Sequence, residues 1–188
     1  MLALAAARLG LKTHSYGPSR NDPAGQVSHL HTQANYDDVE ALARFGAACD
    51  AVTYEWESIP VSAVEIAGAD RFIAPNLTAL RTAQDRLLEK TFLSGLPGVH
   101  VAPFEAASSA LSDLRRTINA VGLPCVVKTR RGGYDGKGQA VIHRANDIEP
   151  VWDRLGAFDL SLKALSHSPA KPAWCARGAG TAMCGPIR

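Results

Sequence analysis

The stretch Cys125-Val-Val-Lys-Thr-Arg-Arg-Gly-Gly-Tyr-Asp-Gly-Lys-Gly-Gln139 runs from one apolar segment into another through a loop holding four glycines between positions 132 and 138. Cys125-Val-Val-Lys128 reads as a strand, and Gln139-Ala-Val-Ile-His143 as its partner. Glycine reaches positive φ without a Cβ penalty, so successive amide N–H groups of such a loop can turn toward one anion, as in phosphate-binding nests. Lys128, Arg130, Arg131 and Lys137 concentrate cations here, whereas the whole chain of 188 residues balances 20 basic against 18 acidic side chains. A polyphosphate fits this loop, because each hydrogen bond to a charged group is worth about 1.5–3 kcal/mol and several act together. The alternative is a basic hairpin turn with no ligand, since glycine loops are common connectors and the P-loop spacing is absent. The lysine that ends the first strand favours the anion site, as does the Tyr134-Asp135 pair, because a plain turn needs no aromatic.

Outward from this loop, Ser109 to Ala120 reads as a helix and Val99 to Phe104 as a strand, so the second part of the chain is expected to be α+β. The first part alternates differently. Met1 to Leu9 is helical by propensity, Leu11 to Tyr16 is a short strand, and a loop rich in Gly, Pro, Ser, Asn and Asp follows through Gly25. Asp37 to Ala48 carries apolar residues at helical spacing with acids in its first turn, and Asp50 to Tyr54 reads as a buried strand. Pro60 starts a helix over Val61 to Ala67, Phe72-Ile-Ala74 is a brief strand, and Pro75-Asn76 breaks the chain before one long helix from Leu77 to Leu93. Such alternation predicts α/β, a parallel sheet with helices on its faces, and places a boundary near Leu77.

Composition excludes several classes. With 46% hydrophobic residues the chain can bury a core, but its length is short for two full domains. A net charge of +2 gives no global field for nucleic acid or a membrane surface. No run approaches the roughly 18 apolar residues needed to span a bilayer, and the first residues lack a secretory signal, so a cytoplasmic location is expected. Cys49, Cys125, Cys175 and Cys184 show no Cys-x-x-Cys spacing, which argues against zinc and disulfides.

Three segments together resemble one family. Lys128 with Arg-Arg-Gly-Gly-Tyr-Asp-Gly-Lys-Gly-Gln139 is similar to the glycine loop of N5-carboxyaminoimidazole ribonucleotide synthase, an ATP-grasp enzyme of purine synthesis. Thr53-Tyr-Glu-Trp-Glu-Ser-Ile-Pro60 resembles the Tyr-Glu-x-Glu-Asn-Ile-Pro segment of that family, and Ala83-Gln-Asp-Arg-Leu-Leu-Glu-Lys-Thr-Phe92 its Asp-Arg-x-x-x-Lys helix. The resemblance runs from Met1 to about Leu160. It implies an incomplete Rossmann-like pre-ATP-grasp domain over 1–77, followed by the first α+β part of an ATP-grasp domain over 78–160. It also implies a reaction: ATP and bicarbonate give carboxyphosphate, whose carboxyl passes to the amine of 5-aminoimidazole ribonucleotide. Phosphoryl transfer of this kind needs positioning and charge neutralisation more than a covalent nucleophile.

By the family pattern, Arg86 and Lys128 hold ATP phosphates, while Gly133, Tyr134, Asp135, Gly136, Lys137, Gly138 and Gln139 fold over them. Tyr134 and Lys137 also reach the ribonucleotide, and Glu55 or Glu57 supplies the carboxylate near its amino group. Plainer roles stay open for the same residues: Arg86 pairing with Glu89, Glu55 and Glu57 capping the helix after Pro60, and Tyr134 packing on the sheet. Ser58 stands where the family has Asn, which alters hydrogen bonding near the ribonucleotide.

Two departures bear on activity. The family opens with a strand and a Gly-Gly-Gly-Gln-Leu-Gly-Arg loop before Met-Leu, so the first sheet is expected to lack its central strand and to leave strand edges unpaired. After Leu160 the chain is rich in breakers. Codons compatible with Leu160 onward, read with one base restored, give Leu-Ile-Leu-Glu-Gly-Phe and further family-like sequence, so 161–188 is expected to be a frameshifted tail. The family's adenine clamp and Mg²⁺-holding carboxylates follow that point, so no metal ligand is assigned in this chain and little turnover is expected of it. Alternatives are a noncatalytic nucleotide-binding remnant and another ATP-grasp ligase. Family members of full length are expected to be homodimers.

Overall fold

The computed structural model describes residues 1–133, 138–156 and 158–165. It divides into two compact units, one formed by Met1–His100 with residues 130–133 and the other by the rest of the described chain from Val101 onward.

In the first unit, strands β1 (His14–Gly17) and β2 (Leu30–Gln33) pair in parallel, as do β3 (Ala51–Val52) and β4 (Phe72–Ile73). Parallel pairing requires a crossover, supplied by residues 18–29 in the first case and by α3 (Val61–Ala67) in the second. The expected parallel α/β layout is therefore present. Among the described residues the two strand pairs are separate sheets. Helix α2 (Val39–Ala47) begins where the Asp38 carboxylate accepts the Ala41 N–H at 2.9 Å, and α4 (Leu77–Ala83) where the Asn76 side chain accepts the Ala79 N–H at 2.9 Å. Leu42, Val52, Ala63, Val64, Ala67 and Leu80 form the core. Helix α1 (Leu2–Arg8) buries no residue.

The expected single helix from Leu77 to Leu93 is two helices, α4 and α5 (Arg86–Ser94). Asp85 causes the break. Its backbone is extended, at φ −124° and ψ 110°, and its carboxylate caps α5 by accepting the N–H groups of Leu87 and Leu88. Gln84 turns the other way, donating to the carbonyls of Glu57 and Ile59 at 2.7 Å.

The second unit is a four-stranded antiparallel sheet in the order β5-β8-β6-β7, formed by Phe104–Ala107, Leu160–Ala164, Cys125–Thr129 and Gln139–Ile142. Helices α6 (Leu111–Val121) and α7 (Ile148–Leu155) supply Leu114, Ile118, Val151 and Leu155 to the core that also holds Cys125, Val127, Ile142, Leu160 and Leu162. At the start of α6 the Asp113 carboxylate accepts the Ser108 N–H at 2.7 Å and pairs with Arg116, which lowers its pKa to about 2. Strand β5 starts at Phe104, later than the expected Val99 to Phe104, because Pro103 has no N–H for a ladder; its carbonyl accepts the Ala164 N–H at 3.0 Å.

Strand β8 occupies a stretch that the breaker-rich reading left without an element. Leu160 and Leu162 are fully buried on one face and alternate with Ser161 and Lys163. Of the proposed tail, residues 166–188 lie outside the described residues, and so do residues 134–137.

Candidate functional site

The hairpin of β6 and β7 is closed at its base. Lys128 faces Gln139 in register, and the Thr129 N–H donates to the Gly138 carbonyl at 2.9 Å. Gly132, Gly133 and Gly138 lie at φ between +67° and +69°, a region that L side chains enter at a cost of about 1–2 kcal/mol. The glycines are thus used for the backbone freedom on which the anion reading rests. The sequence-derived residues Tyr134, Asp135, Gly136 and Lys137 lie outside the described residues.

Strand alternation sorts the sheet's two faces. Cys125 and Val127 point into the core between sheet and helices, so Lys128 projects on the opposite face. The register sets Lys128 opposite Ser161 and Lys163 opposite Val126, which places a second lysine on that face. Lys163 was not legible as a neighbour of Lys128 without β8, since only that strand's pairing brings residues so far apart in sequence onto one surface.

In the first unit, α5 begins at the glycine loop. The Arg86 N–H donates to the Arg130 carbonyl at 3.0 Å. The Arg86 guanidinium donates through Nη1 to the Gly132 carbonyl at 2.6 Å and through Nη2 to the Gly133 carbonyl at 2.8 Å. The structure thus joins Arg86 to the loop predicted to work with it. Among the hydrogen bonds described, Arg86 reaches those carbonyls and Glu89 is not its partner.

Asp85, the first residue of the Asp-Arg-x-x-x-Lys segment, is a further member to which the motif reading gave no role. It is 1% exposed, and its carboxylate accepts Arg130 Nε at 3.1 Å, Arg130 Nη2 at 2.6 Å and Arg131 Nε at 3.5 Å. Burial pushes its pKa up, but the hydrogen bond from Arg130 and the N–H of Leu87 outweigh burial and hold it below the ordinary value of 3.8. The sequence signal was present as an acid directly before Arg86, but nothing in a linear reading links position 85 to position 130.

This depression has a sign. The Asp85 pairing stabilises the fold above the ordinary carboxylate range, and that contribution is lost as pH falls through the lowered value. Urea unfolding from pH 7 down to pH 3 is therefore expected to lose stability more steeply in the wild-type chain than in Asp85→Asn. Equal slopes would show that the Asp85 ion pair contributes nothing to the stability of the fold.

Glu55 and Glu57 sit apart from the hydrogen bonds just described. The Glu55 carboxylate accepts the Met1 ammonium at 3.2 Å and the Leu2 N–H at 3.3 Å, while the Glu57 carbonyl accepts from Gln84. Neither caps α3, whose N-cap Pro60 has no side-chain bond.

Comparison with known proteins matches residues 1–84 to the ribonucleotide synthetase preATP-grasp domain and residues 94–164 to the ATP-grasp domain. The chain is 38% identical over 165 residues to the bifunctional purine synthesis protein purC/E of Dictyostelium discoideum, covering 88% of this chain and 16% of that protein. It is 38% identical over 149 residues to the N5-carboxyaminoimidazole ribonucleotide synthase of Staphylococcus aureus, covering 79% of this chain and 39% of that enzyme. The crystal structure of the N5-carboxyaminoimidazole synthetase from Staphylococcus aureus complexed with ADP superposes with a TM-score of 0.80 at 34% identity, covering 87% of this chain and 43% of that one. The chain thus spans less than half the length of each of these proteins.

Proposed function

We propose that the chain, which is similar to N5-carboxyaminoimidazole ribonucleotide synthases of the ATP-grasp type, carries the phosphate-gripping part of an ATP-dependent ligase of purine synthesis. The observation that carries this reading is the hairpin loop whose glycines at positive φ are flanked by Lys128 and gripped by Arg86. Its amides and the Lys128 ammonium meet the polyphosphate of ATP. Arg86 spends two of the five guanidinium N–H donors on the loop carbonyls and so shapes the loop that covers the nucleotide.

In the proposed reaction a bicarbonate oxygen attacks the γ-phosphorus of ATP, ADP leaves, and carboxyphosphate forms. The amine of 5-aminoimidazole ribonucleotide then attacks the carboxyl carbon and phosphate departs. Glu55 or Glu57 accepts a hydrogen bond from that amine, and Tyr134 and Lys137 reach the ribonucleotide. These assignments, together with homodimeric assembly of full-length family members, rest on the three sequence motifs and the resemblance they carry.

The residues described do not fit a magnesium ion. Among them there is no group of three or more His, Cys, Asp or Glu side chains able to hold a metal, and Asp85 is engaged by Arg130 and Arg131. The same loop admits one second reading, a nucleotide-binding remnant without turnover.

Calorimetric titration of the chain with ATP tests the proposal. Saturable binding that inorganic triphosphate displaces is expected, and no heat with ATP over a millimolar range overturns the proposal. Phosphate release stimulated by the aminoimidazole ribonucleotide supports the ligase over the remnant, whereas binding alone supports the remnant.

A further inference from the structure

A helix cap needs one oxygen, and Asp85 uses Oδ1 for that purpose, accepting the N–H groups of Leu87 and Leu88 at 3.0 and 3.5 Å. Its second oxygen does something a cap does not require. Oδ2 accepts Arg130 Nη2 at 2.6 Å and Arg131 Nε at 3.5 Å, and Oδ1 also accepts Arg130 Nε at 3.1 Å. Asn or Ser would cap α5 as well as Asp, so the carboxylate is explained by the arginines. A charge this deeply buried persists only when it is paired.

Arg130 is held at two points: its side chain by Asp85 and its carbonyl by the Arg86 N–H at 3.0 Å. The next contacts along the chain are the Gly132 and Gly133 carbonyls on the Arg86 guanidinium. Adjacent residues of opposite charge at the start of α5 therefore grip residues 130–133 through two side chains and three carbonyls.

We infer that Asp85 is a positioning residue of the nucleotide site, acting through Arg130 to fix residues 130–133 in the conformation from which the loop meets a polyphosphate. The inference deepens the nucleotide reading given above and rests on it. It also divides the cations of the loop by task. The charge of Arg130 is balanced by Asp85, so Arg130 serves as scaffold, and phosphate attraction falls to other groups of the segment.

A double-mutant cycle on the full chain tests this, with the dissociation constant of ATP read by calorimetry. Asp85→Asn keeps an oxygen for the cap and loses the charge, while Arg130→Met loses the partner. Each single change is expected to weaken ATP binding about tenfold, and the double change also by about tenfold, because the short Arg130 contact is the main one that either change removes and the Arg131 contact is long, at 3.5 Å. A double variant weakened by the product of the two, about a hundredfold, shows independent roles and overturns the inference.

Amide hydrogen exchange supplies a readout that does not depend on ATP. The Arg86 amide, bonded to the Arg130 carbonyl, is expected to exchange faster in Asp85→Asn, while the capped Leu87 amide keeps its protection. Unchanged exchange at Arg86 overturns positioning even if ATP binds, and a wild-type chain that ignores ATP sinks the nucleotide reading while this measurement still decides the role of Asp85. Should Asp85→Asn fail to fold because Arg130 is left unpaired, the double variant is expected to fold as Arg130→Met does. If the double variant fails as well, the role of Asp85 does not run through Arg130 and the inference falls.

Discussion

Gly46→Ala is expected to destabilise the chain by about 2 kcal/mol, against the direction that helix propensity gives. In an exposed helix interior the same change is worth up to about 1 kcal/mol in favour of the alanine. Here the added methyl would overlap the Ala67 carbonyl oxygen and come within 2.7 Å of its carbon. Both are backbone atoms, so no rotamer change relieves the clash and helices α2 and α3 must move apart. That separation loosens Leu42 from Ala63 and Val64 in a core of only six buried residues. It also pulls the C-terminus of α2 from Arg71, whose guanidinium donates to the Gly46 and Ala47 carbonyls at 3.1 Å. Overpacking of this kind costs about 1–3 kcal/mol, occasionally more, which exceeds the propensity gain. Urea or thermal unfolding reads the sign directly. A more stable variant would show that the two helices have room to spare.

Gly46 also shows what the linear reading could and could not see. The helix around it was legible, because Leu42 and Phe45 repeat at helical spacing after an acidic first turn. The contact with Ala67 was not, since periodicity reports one element at a time. The hairpin strands were legible for a similar reason: Cys125 to Lys128 and Gln139 to His143 are short apolar runs bounded by glycine. Strand β2 was missed because Leu30-His-Thr-Gln33 carries no apolar alternation and exists by pairing with β1, helped by the bond between His14 Nε2 and Thr32 Oγ1 at 2.8 Å. Helix α7 was available in Ile148, Val151, Trp152 and Leu155, a regular helical stripe whose Pro150 falls in the tolerant first turn. Strand β8 was hidden by composition: the Pro- and Gly-rich residues beyond it drew attention from an alternation five residues long. In the site, the motif marked Arg86 and the glycines. The pairing of Asp85 with Arg130 spans 45 positions and follows from no local rule.

Lys128→Ala is expected to weaken ATP binding by about 2 kcal/mol, or roughly thirtyfold. The effect follows from where the side chain points. Cys125 and Val127 of β6 are fully buried in the core with Leu160 and Leu162, whereas Lys128 projects on the other face and contributes nothing to that packing. Its backbone keeps the register with Gln139 on one side and Ser161 on the other whatever the side chain. What the alanine removes is an ammonium at the foot of a loop whose amides supply the remaining donors, and a hydrogen bond between two charged groups is about twice as strong as a neutral one. Lys163 lies on the same face, so the Lys163→Ala variant separates general positive potential from direct contact. If potential alone matters, both alanines weaken ATP binding alike and added salt erases the difference from wild type. If Lys128 touches phosphate, its loss is the larger and survives high salt. Unchanged affinity in Lys128→Ala would take this lysine out of the site and leave the loop's backbone to carry the nucleotide reading alone.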